Sequence, residues 1–284
     1  MRMLVTGAGG MLGVPLCRTL RHAHDVIAAP RAELDVADAV AVRQRLGRER
    51  PECIVHLAAL TDVDRCQREP DTAMAVNAAS TETLAAWCAE TGAGLVLLSS
   101  IAVFDGTKGS RYDEGDTPRP ANVYGESKLR AERAAARAGW HLVVRTGWLF
   151  SADDEDHKFV GQILRRARER RELDVVDDRF GSPTWVVDLA RGIERLIGEG
   201  LRGVVHLVNE GSPVSRVELA RELVAQAGLP VSIRPVASEF FPGLAPRPAM
   251  EAARSERTGG WLPPWPDALR AALARGRPAL TKRR

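Results

Sequence analysis

Short apolar runs alternate with stretches of helical periodicity through the first 150 residues. The runs are apolar without interruption, which is typical of strands that helices cover on both faces. They predict strands at Met3–Thr6, Val26–Ala29, Cys53–Ala59, Leu95–Ser99 and Leu142–Arg145. The periodic stretches predict helices at Leu12–Arg21, Ala39–Arg48, Asp71–Thr91 and Tyr124–Ala138. This alternation predicts an α/β fold with a doubly wound parallel sheet.

The pattern becomes less regular after Phe150, and prolines crowd the stretch from Phe241 to Pro266. Such prolines indicate ordered loops. The predicted elements of this half are helices at Phe159–Arg170, Val187–Gly198, Val217–Ala227 and Asp267–Ala274, and strands at Glu172–Val176 and Val204–Val208. We expect a first domain of residues 1–150, to which residues 184–210 return. A smaller C-terminal lobe would consist of residues 151–183 and 211–284.

Composition is ordinary for a globular protein, with 45% hydrophobic and 27% charged residues and a net charge of +3 over 284 residues. The basic run at residues 165–171 lacks interleaved aromatics, so it predicts a solvated helix face and no nucleic-acid partner. No apolar run reaches membrane-spanning length, and the chain opens directly on a strand. The four cysteines show no metal-ligand spacing. We therefore expect a cytoplasmic protein without membrane contact or bound metal.

Glycines punctuate the turn after the first strand, which reads Thr6-Gly7-Ala8-Gly9-Gly10-Met11-Leu12-Gly13. Glycine permits the tight turn and lets the backbone approach a diphosphate, while the following helix N-terminus attracts the anion. An ordinary glycine-rich turn is the alternative, but the strand–turn–helix context favours a Rossmann-type dinucleotide site. The predicted cofactor contacts here are Gly7, Gly10, Met11, Leu12 and Gly13.

The second strand ends at Ala29-Pro30-Arg31. A carboxylate at this position would bind the ribose hydroxyls of NAD, whereas an arginine suits the 2′-phosphate of NADP. Arg31 therefore favours NADPH, and Glu33, two residues further on, keeps NADH possible. An Arg31 side chain that only faces solvent is the alternative.

Tyr124 and Lys128 are four residues apart in a predicted helix, so their side chains share one face. An ammonium beside a phenol favours the phenolate and is expected to lower the tyrosine pKa, which would suit a general acid or base. Ser100 ends the fourth strand, at the sheet edge where ligands bind. The sequence thus predicts Ser100, Tyr124 and Lys128 around one substrate oxygen. A buried tyrosine, a surface lysine and a capping serine are the structural alternative.

The chain resembles the extended short-chain dehydrogenase/reductases, and within them the dTDP-4-dehydrorhamnose reductases, over nearly its full length. The segments that carry the resemblance are the glycine turn, Glu33-Leu34-Asp35-Val36, His56-Leu57-Ala58-Ala59, Leu60-Thr61-Asp62-Val63-Asp64, Val103-Phe104-Asp105-Gly106, Asn122-Val123-Tyr124-Gly125-Glu126-Ser127-Lys128-Leu129, Arg145-Thr146-Gly147-Trp148 and Val175-Val176-Asp177-Asp178-Arg179-Phe180-Gly181-Ser182-Pro183-Thr184.

This resemblance implies NADPH-dependent reduction of the C4 ketone of a nucleotide-linked 6-deoxy-4-ketohexose, with Ser100, Tyr124 and Lys128 as the catalytic group. It implies adenine contacts at Asp35 and Val36, and contacts near the nicotinamide at Ala58, Ala59 and Leu60. The residues that it implies for substrate binding are Thr61, Val63, Ala102, Trp148 and Arg179. A homodimer is left open as the assembly.

Two segments depart from the family pattern, and both fall on the substrate side. Ile101 and Ala102 replace an Asp-Tyr pair, and the segment from Arg247 to Glu251 lacks a family asparagine. An apolar wall at Ile101 and Ala102 would favour a sugar with fewer hydroxyls. Two other functions stay open: a non-catalytic subunit similar to the regulatory subunit of methionine adenosyltransferase, and a nucleotide-sugar epimerase or dehydratase. The intact Ser100, Tyr124 and Lys128 and the short C-terminal lobe favour a reductase.

Overall fold

A computed structural model describes residues 1–153, 155–211 and 213–276 of the chain. The strands are β1 (Arg2–Thr6), β2 (Asp25–Ala29), β3 (Cys53–His56), β4 (Gly94–Ser100), β5 (Trp140–Thr146), β6 (Leu149–Phe150), β7 (Glu172–Val176), β8 (Phe180–Gly181), β9 (Thr184–Trp185), β10 (Gly203–His206), β11 (Val214–Ser215), β12 (Ser232–Val236) and β13 (Met250–Glu251). The α-helices are α1 (Gly13–Leu20), α2 (Ala39–Glu49), α3 (Val63–Arg68), α4 (Pro70–Met74), α5 (Ser80–Thr91), α6 (Val123–Ala135), α7 (Phe159–Glu169), α8 (Val186–Gly198), α9 (Arg216–Ala227) and α10 (Trp265–Gly276).

The central element is a six-stranded sheet with the order β10-β5-β4-β3-β1-β2, in which every neighbouring pair is parallel. Side chains along a strand point alternately to opposite faces. Accordingly, Met3 and Val5 belong to one buried cluster and Leu4 belongs to another, and none of the three is exposed. This two-sided burial explains the uninterrupted apolar runs, and the predicted doubly wound parallel sheet is confirmed.

The chain reverses its direction of strand addition at β1, because β2 lies on one side of it and β3 on the other. Ligands of such sheets bind outside the carboxyl ends of the strands at this reversal. The ends of β1, β3 and β4, at Thr6, His56 and Ser100, therefore lie along one edge of the sheet.

Short strands outside the central sheet form separate pairings. β7 pairs with β12, β8 lies between β11 and β13, and β6 pairs with β9. Strands within residues 151–183 thus pair with strands of residues 211–276, whereas β10 lies at the edge of the central sheet beside β5. The boundaries of a first domain and a lobe stay a prediction, and residues 277–284 lie outside the described residues.

The predicted helix Asp71–Thr91 is wrong as a single α-helix. The segment forms α4 and α5, joined by a π-helical turn at Ala75–Ala79. A separate 3₁₀ turn at Ile101–Val103 follows β4. Strand β3 also ends at His56, three residues before the predicted Ala59. Beyond this end, the Leu60 N–H donates to the side chain of Asn77, at 2.7 Å, and not to a neighbouring strand.

All four cysteines are unpaired and buried. None of the helices in the described ranges is both long and apolar enough to cross a bilayer.

Candidate active site

A cavity of about 420 Å³ extends from the end of β1 to the loops beyond β5, and we call it the active-site cleft. Its lining includes Gly7, Gly10, Met11, Leu12, Gly13, Ala59, Thr61, Val63, Ser100, Tyr124, Lys128, Trp148, Lys158, Phe159, Arg216, Arg247 and Glu251. The cleft therefore brings the glycine turn, the predicted catalytic group and most of the predicted substrate contacts into one continuous space.

The backbone of the glycine turn packs so closely on its neighbours that side chains at Gly7 and Gly13 would clash with backbone atoms. A Cβ atom on Gly7 would lie 2.7 Å from the Ala58 nitrogen, and one on Gly13 would lie 2.3 Å from the Gly7 carbonyl oxygen. Gly7 also has a φ of +67°, and its carbonyl accepts the Gly10 N–H at 3.0 Å. Helix α1 begins at Gly13 and has no acidic residue in its first turn. This bare helix N-terminus at the cleft fits the diphosphate of a dinucleotide.

The predicted adenine end lies beyond β2. Pro30 packs on the glycine turn, since a Cβ atom on Gly9 would lie 3.4 Å from Pro30 Cβ. Arg31 is the next residue, so it lies beside the turn. The Arg31 side chain is exposed, and no hydrogen bond or ion pair to another described residue engages it. Asp35 is exposed and accepts the Ala37 N–H at 3.0 Å, whereas Val36 is buried. Arg31 is therefore available to a phosphate at this end.

Helix α6 carries Tyr124 and Lys128 on the side facing the cleft. The Asn122 side chain caps this helix by accepting the Gly125 N–H at 2.9 Å, which fixes Tyr124 in the first turn. A Cβ atom on Gly125 would lie 2.1 Å from the Ala102 carbonyl oxygen, so α6 packs directly against the turn after β4. That close packing places Ser100 and Tyr124 in the same cleft.

Burial dominates the protonation of the catalytic pair. It raises the pKa of Tyr124 to about 12, against the opposing effect of the Ser100 hydrogen bond. It also lowers the pKa of Lys128 to about 8, partly offset by Glu132. The expectation that Lys128 would lower the pKa of Tyr124 is wrong for the protein alone, because desolvation of the phenolate is the larger effect. Both groups carry their protons at neutral pH.

Asn77 is a polar residue of the site that sequence reasoning missed. It lies in the π-helical turn, is 1% exposed, and donates through Nδ2 to the Leu60 carbonyl and to Ser127 Oγ, at 3.1 and 2.8 Å. Ser127 in turn donates to the Tyr124 carbonyl at 2.7 Å. Asn77 thus ties the segment after β3 to the first turn of α6. A lone asparagine among the apolar residues of a helix was the available signal.

His56 connects the ends of β1 and β3. Ser80 Oγ donates to the Val76 carbonyl at 2.6 Å, so it accepts from His56 Nε2 at 3.1 Å. His56 Nδ1 consequently accepts from Thr6 Oγ1 at 2.7 Å. Burial lowers the pKa of His56 to about 3, and the nearby Lys128 charge acts in the same direction. The imidazole is therefore a neutral structural link beneath the glycine turn.

A second polar group lies under the cleft. The Arg145 guanidinium donates to both carboxylate oxygens of Glu132, at 2.9 and 2.7 Å, and the two side chains are 4% and 6% exposed. Ser99 donates to the same carboxylate, and Arg145 also contacts His206 Nε2 at 3.4 Å. This buried pair joins α6 to β5 and so supports the helix that carries Tyr124.

Trp148 forms part of the wall of the active-site cleft. Its φ is +38°, a left-handed conformation that is unfavourable for a bulky residue. Its ring is held by the Arg216 guanidinium, 3.5 Å from the ring centroid, and its Nε1 donates to Glu251 Oε2 at 3.2 Å. A Cβ atom on Gly181 would lie 2.2 Å from the ring. Backbone strain held by such contacts is typical of a ligand-binding position.

Other predicted substrate residues divide into two groups. Thr61 and Val63 line the cleft, whereas Ala102 and Arg179 do not. Ala102 is 5% exposed beneath α6, and the neighbouring Ile101 is 1% exposed. The expected apolar wall at Ile101 and Ala102 therefore does not line the cleft.

The remaining predicted positions differ in their relation to the cleft. Arg179 donates to the Asp178 carbonyl at 3.2 Å and does not face the cavity. Of the predicted contacts near the nicotinamide, Ala59 lines the cleft and Ala58 contacts Gly7, which lines it. Leu60 lies between Ala59 and Thr61, both of which line the cleft.

No group of three or more His, Cys, Asp or Glu side chains within the described ranges could hold a metal ion.

Comparisons with known proteins agree with this arrangement. The family model of the RmlD substrate binding domain matches residues 1–277. The chain is 38% identical to a protein of Mycobacterium tuberculosis (strain CDC 1551 / Oshkosh) named dTDP-4-dehydrorhamnose reductase, over 96% of this chain and 92% of the relative. It is 37% identical to a Streptomyces niveus protein named dTDP-4-keto-6-deoxy-D-glucose reductase, over 96% of each.

A solved structure shows the same fold with a cofactor. The crystal structure of dTDP-4-dehydrorhamnose reductase from Bacillus anthracis str. Ames in complex with NADP superposes with a TM-score of 0.91 at 33% identity, covering 96% of this chain and 99% of that one.

Proposed function

The chain belongs to the RmlD substrate-binding domain family, and from that premise we propose that it uses NADPH to reduce the C4 ketone of a dTDP-linked 4-keto-6-deoxyhexose. One observation carries the proposal. The active-site cleft joins the glycine turn, the group Ser100, Tyr124 and Lys128, and the wall at Trp148 in one space.

Cofactor binding is assigned to the backbone of the glycine turn and to Arg31. The close contacts of Gly7 and Gly13 leave the turn free of side chains that would obstruct a diphosphate. The exposed Arg31 guanidinium suits the 2′-phosphate of NADPH. When bound, NADPH supplies the hydride that reduces the ketone.

The protein's own residues supply the proton. With a pKa raised by burial to about 12, the Tyr124 phenol stays protonated at neutral pH and acts as the general acid toward the ketone oxygen. Ser100 Oγ accepts the Ala102 N–H at 3.1 Å, so its own hydrogen is available to the same oxygen. Lys128, protonated below its pKa of about 8, stabilises the phenolate that the proton transfer leaves.

The sugar is assigned to the space between Thr61, Val63 and Trp148. The two relatives named above act, by their names, on different dTDP-4-keto-6-deoxyhexoses. Their names support this substrate class, and we assign the choice of sugar to groups that line this part of the cleft, among them Glu251 and Arg216.

The test incubates the purified chain and NADPH with dTDP-4-dehydrorhamnose and with dTDP-4-keto-6-deoxyglucose. NADPH consumption is followed by its absorbance, and NMR identifies the configuration at C4 of the product. Tyr124→Phe is the matched control, because it keeps the ring and removes the proton donor.

We expect turnover of at least one sugar by the natural chain and almost none by the control. NADPH binding without turnover of either sugar would indicate a non-catalytic subunit, and NAD that stays bound through purification would indicate an epimerase. The homodimer and the cytoplasmic location stay predictions, and light scattering on the eluting protein tests the first.

A further inference from the structure

The segment between β6 and α7 is organised around Asp156, whose side chain is fully buried. One carboxylate oxygen accepts the N–H groups of Ser151 and Ala152, at 3.0 and 3.1 Å. The other accepts the Lys158 N–H at 2.8 Å. A Cβ atom on Gly161 would overlap the Asp156 carbonyl, so the first turn of α7 also packs on this residue. The backbone at Lys158 is therefore held in a defined place.

The Lys158 side chain reaches across the mouth of the cleft. Its Nζ donates to Thr61 Oγ1 at 3.1 Å, although the two residues belong to different segments of the cleft wall. Lys158 also lines a second cavity of about 740 Å³, and Gly10 and Met11 are the residues that line both cavities with it. Residues common to two adjoining cavities form the boundary between them. Lys158 therefore lies at that boundary together with Gly10 and Met11 of the glycine turn.

Other cations of the cleft are committed elsewhere. Lys128 stands beside Tyr124 on α6, Arg216 stacks on Trp148, and Arg247 pairs with Asp64 at 3.0 Å. Helix α1 offers a diphosphate only backbone N–H groups and the dipole of eight residues. Lys158 donates to the neutral Thr61 hydroxyl, has the Asp62 and Asp156 carboxylates nearby, and lines the cleft together with Gly10 and Met11.

We propose that Lys158 is a cofactor-binding residue whose ammonium pairs with the diphosphate of NADPH from the side opposite the glycine turn. This inference rests on the proposed function, since it takes NADPH as the dinucleotide. The nucleotide sugar also carries a diphosphate, and the experiment separates the two sources.

The dissociation constants of NADPH and of dTDP are measured by fluorescence, without the second substrate, for the natural chain and three variants. Lys158→Met removes the charge and keeps the length, and Lys158→Arg restores the charge. Arg18→Met is the matched control, because Arg18 is an exposed cation that lines only the adjoining cavity. Thermal melts of the unliganded proteins check that each variant folds, and Lys158→Gln replaces the methionine variant if it does not.

A hydrogen bond between charged groups contributes enough to change affinity about 10- to 100-fold. We expect Lys158→Met to weaken NADPH binding by about that factor, Lys158→Arg to recover most of it, and Arg18→Met to leave it nearly unchanged. The dTDP affinity should be the same in all four proteins.

Unchanged NADPH affinity in Lys158→Met would overturn the inference, as would a loss matched by Arg18→Met, which would indicate general charge attraction. Weakened dTDP binding with unchanged NADPH binding would assign Lys158 to the substrate diphosphate instead. If the natural chain binds no NADPH, the proposed function fails. If the natural chain and Lys158→Met bind NADPH equally well, only the role of Lys158 fails and the proposed function stands.

Discussion

Replacing Lys128 by methionine is expected to make the unliganded protein more stable while it abolishes activity. Lys128 is 4% exposed, and burial lowers its pKa from 10.5 to about 8. Each tenfold change in proton affinity corresponds to about 1.4 kcal/mol, so the buried ammonium costs about 3 kcal/mol of folding free energy at neutral pH. Methionine has a similar length and no charge, and it should recover most of that cost. Such an exchange of stability for function is common at active sites.

The effect has a characteristic pH dependence. Below the folded pKa of about 8 both the folded and the unfolded chain hold the proton, so the natural protein bears the full cost. Between about 8 and 10.5 only the unfolded chain holds it, and the stability of the natural protein rises with pH. The advantage of Lys128→Met should therefore be greatest at neutral pH and disappear toward pH 10.5.

Thermal unfolding provides the assay. Unfolding entropy is about 2.1 cal/mol/K per residue, or about 0.6 kcal/mol/K for this chain, so 3 kcal/mol raises the Tm by about 5 °C. Lys108→Met is the control, because Lys108 pairs with Asp116 and the pKa of Lys108 is raised rather than lowered. Its loss should leave the Tm unchanged or slightly lower.

A Tm of Lys128→Met at or below that of the natural protein at neutral pH would refute this reasoning. A gain that is the same at every pH would also refute it, because the stabilisation would then come from packing rather than from the removed charge.

Three further substitutions test other parts of the site. Tyr124→Phe should lower kcat about 10²–10⁴-fold with little change in the Kd of NADPH, because it removes the proton donor; turnover within a few-fold of the natural protein would place the donor elsewhere. Arg31→Ala should weaken NADPH about tenfold or more in a binding titration and spare NADH, since a charged contact to phosphate contributes about 1.5–3 kcal/mol; equal losses for both cofactors would contradict that role. Glu132→Ala should lower the free energy of unfolding by about 3–5 kcal/mol in urea titrations, because it leaves the buried Arg145 unpaired; a loss under about 1 kcal/mol would mean that water or His206 compensates.

Local patterns account for what the sequence predicted correctly. The inner strands β1, β3 and β4 are buried on both faces, so their apolar runs are visible without knowledge of their neighbours. The glycine turn is visible from its own residues, since Gly13 packs within the turn against Gly7 and Ala8, although the contact of Gly7 with Ala58 is a distant one. The spacing of Tyr124 and Lys128 is a property of one helix, and both residues line the cleft.

Features that depend on distant contacts were not predictable in the same way. The π-helical turn at Asn77 depends on Leu60 and Ser127, which lie in other segments. The Arg216 stack on Trp148 joins residues from separate parts of the chain. The direction of the Tyr124 pKa depends on burial, which a spacing motif does not report.

The position of β10 at the edge of the central sheet has a consequence for synthesis of the chain on the ribosome. Strand β5 emerges long before β10, because the chain from β6 through α8 must be made between them. Translation proceeds at about 5–20 residues per second, so β5 stays an open edge for a time on the order of seconds. An unpaired edge strand is a template for pairing with other chains. Chaperone dependence and aggregation of the nascent protein should therefore concentrate in the interval before His206 joins Arg145.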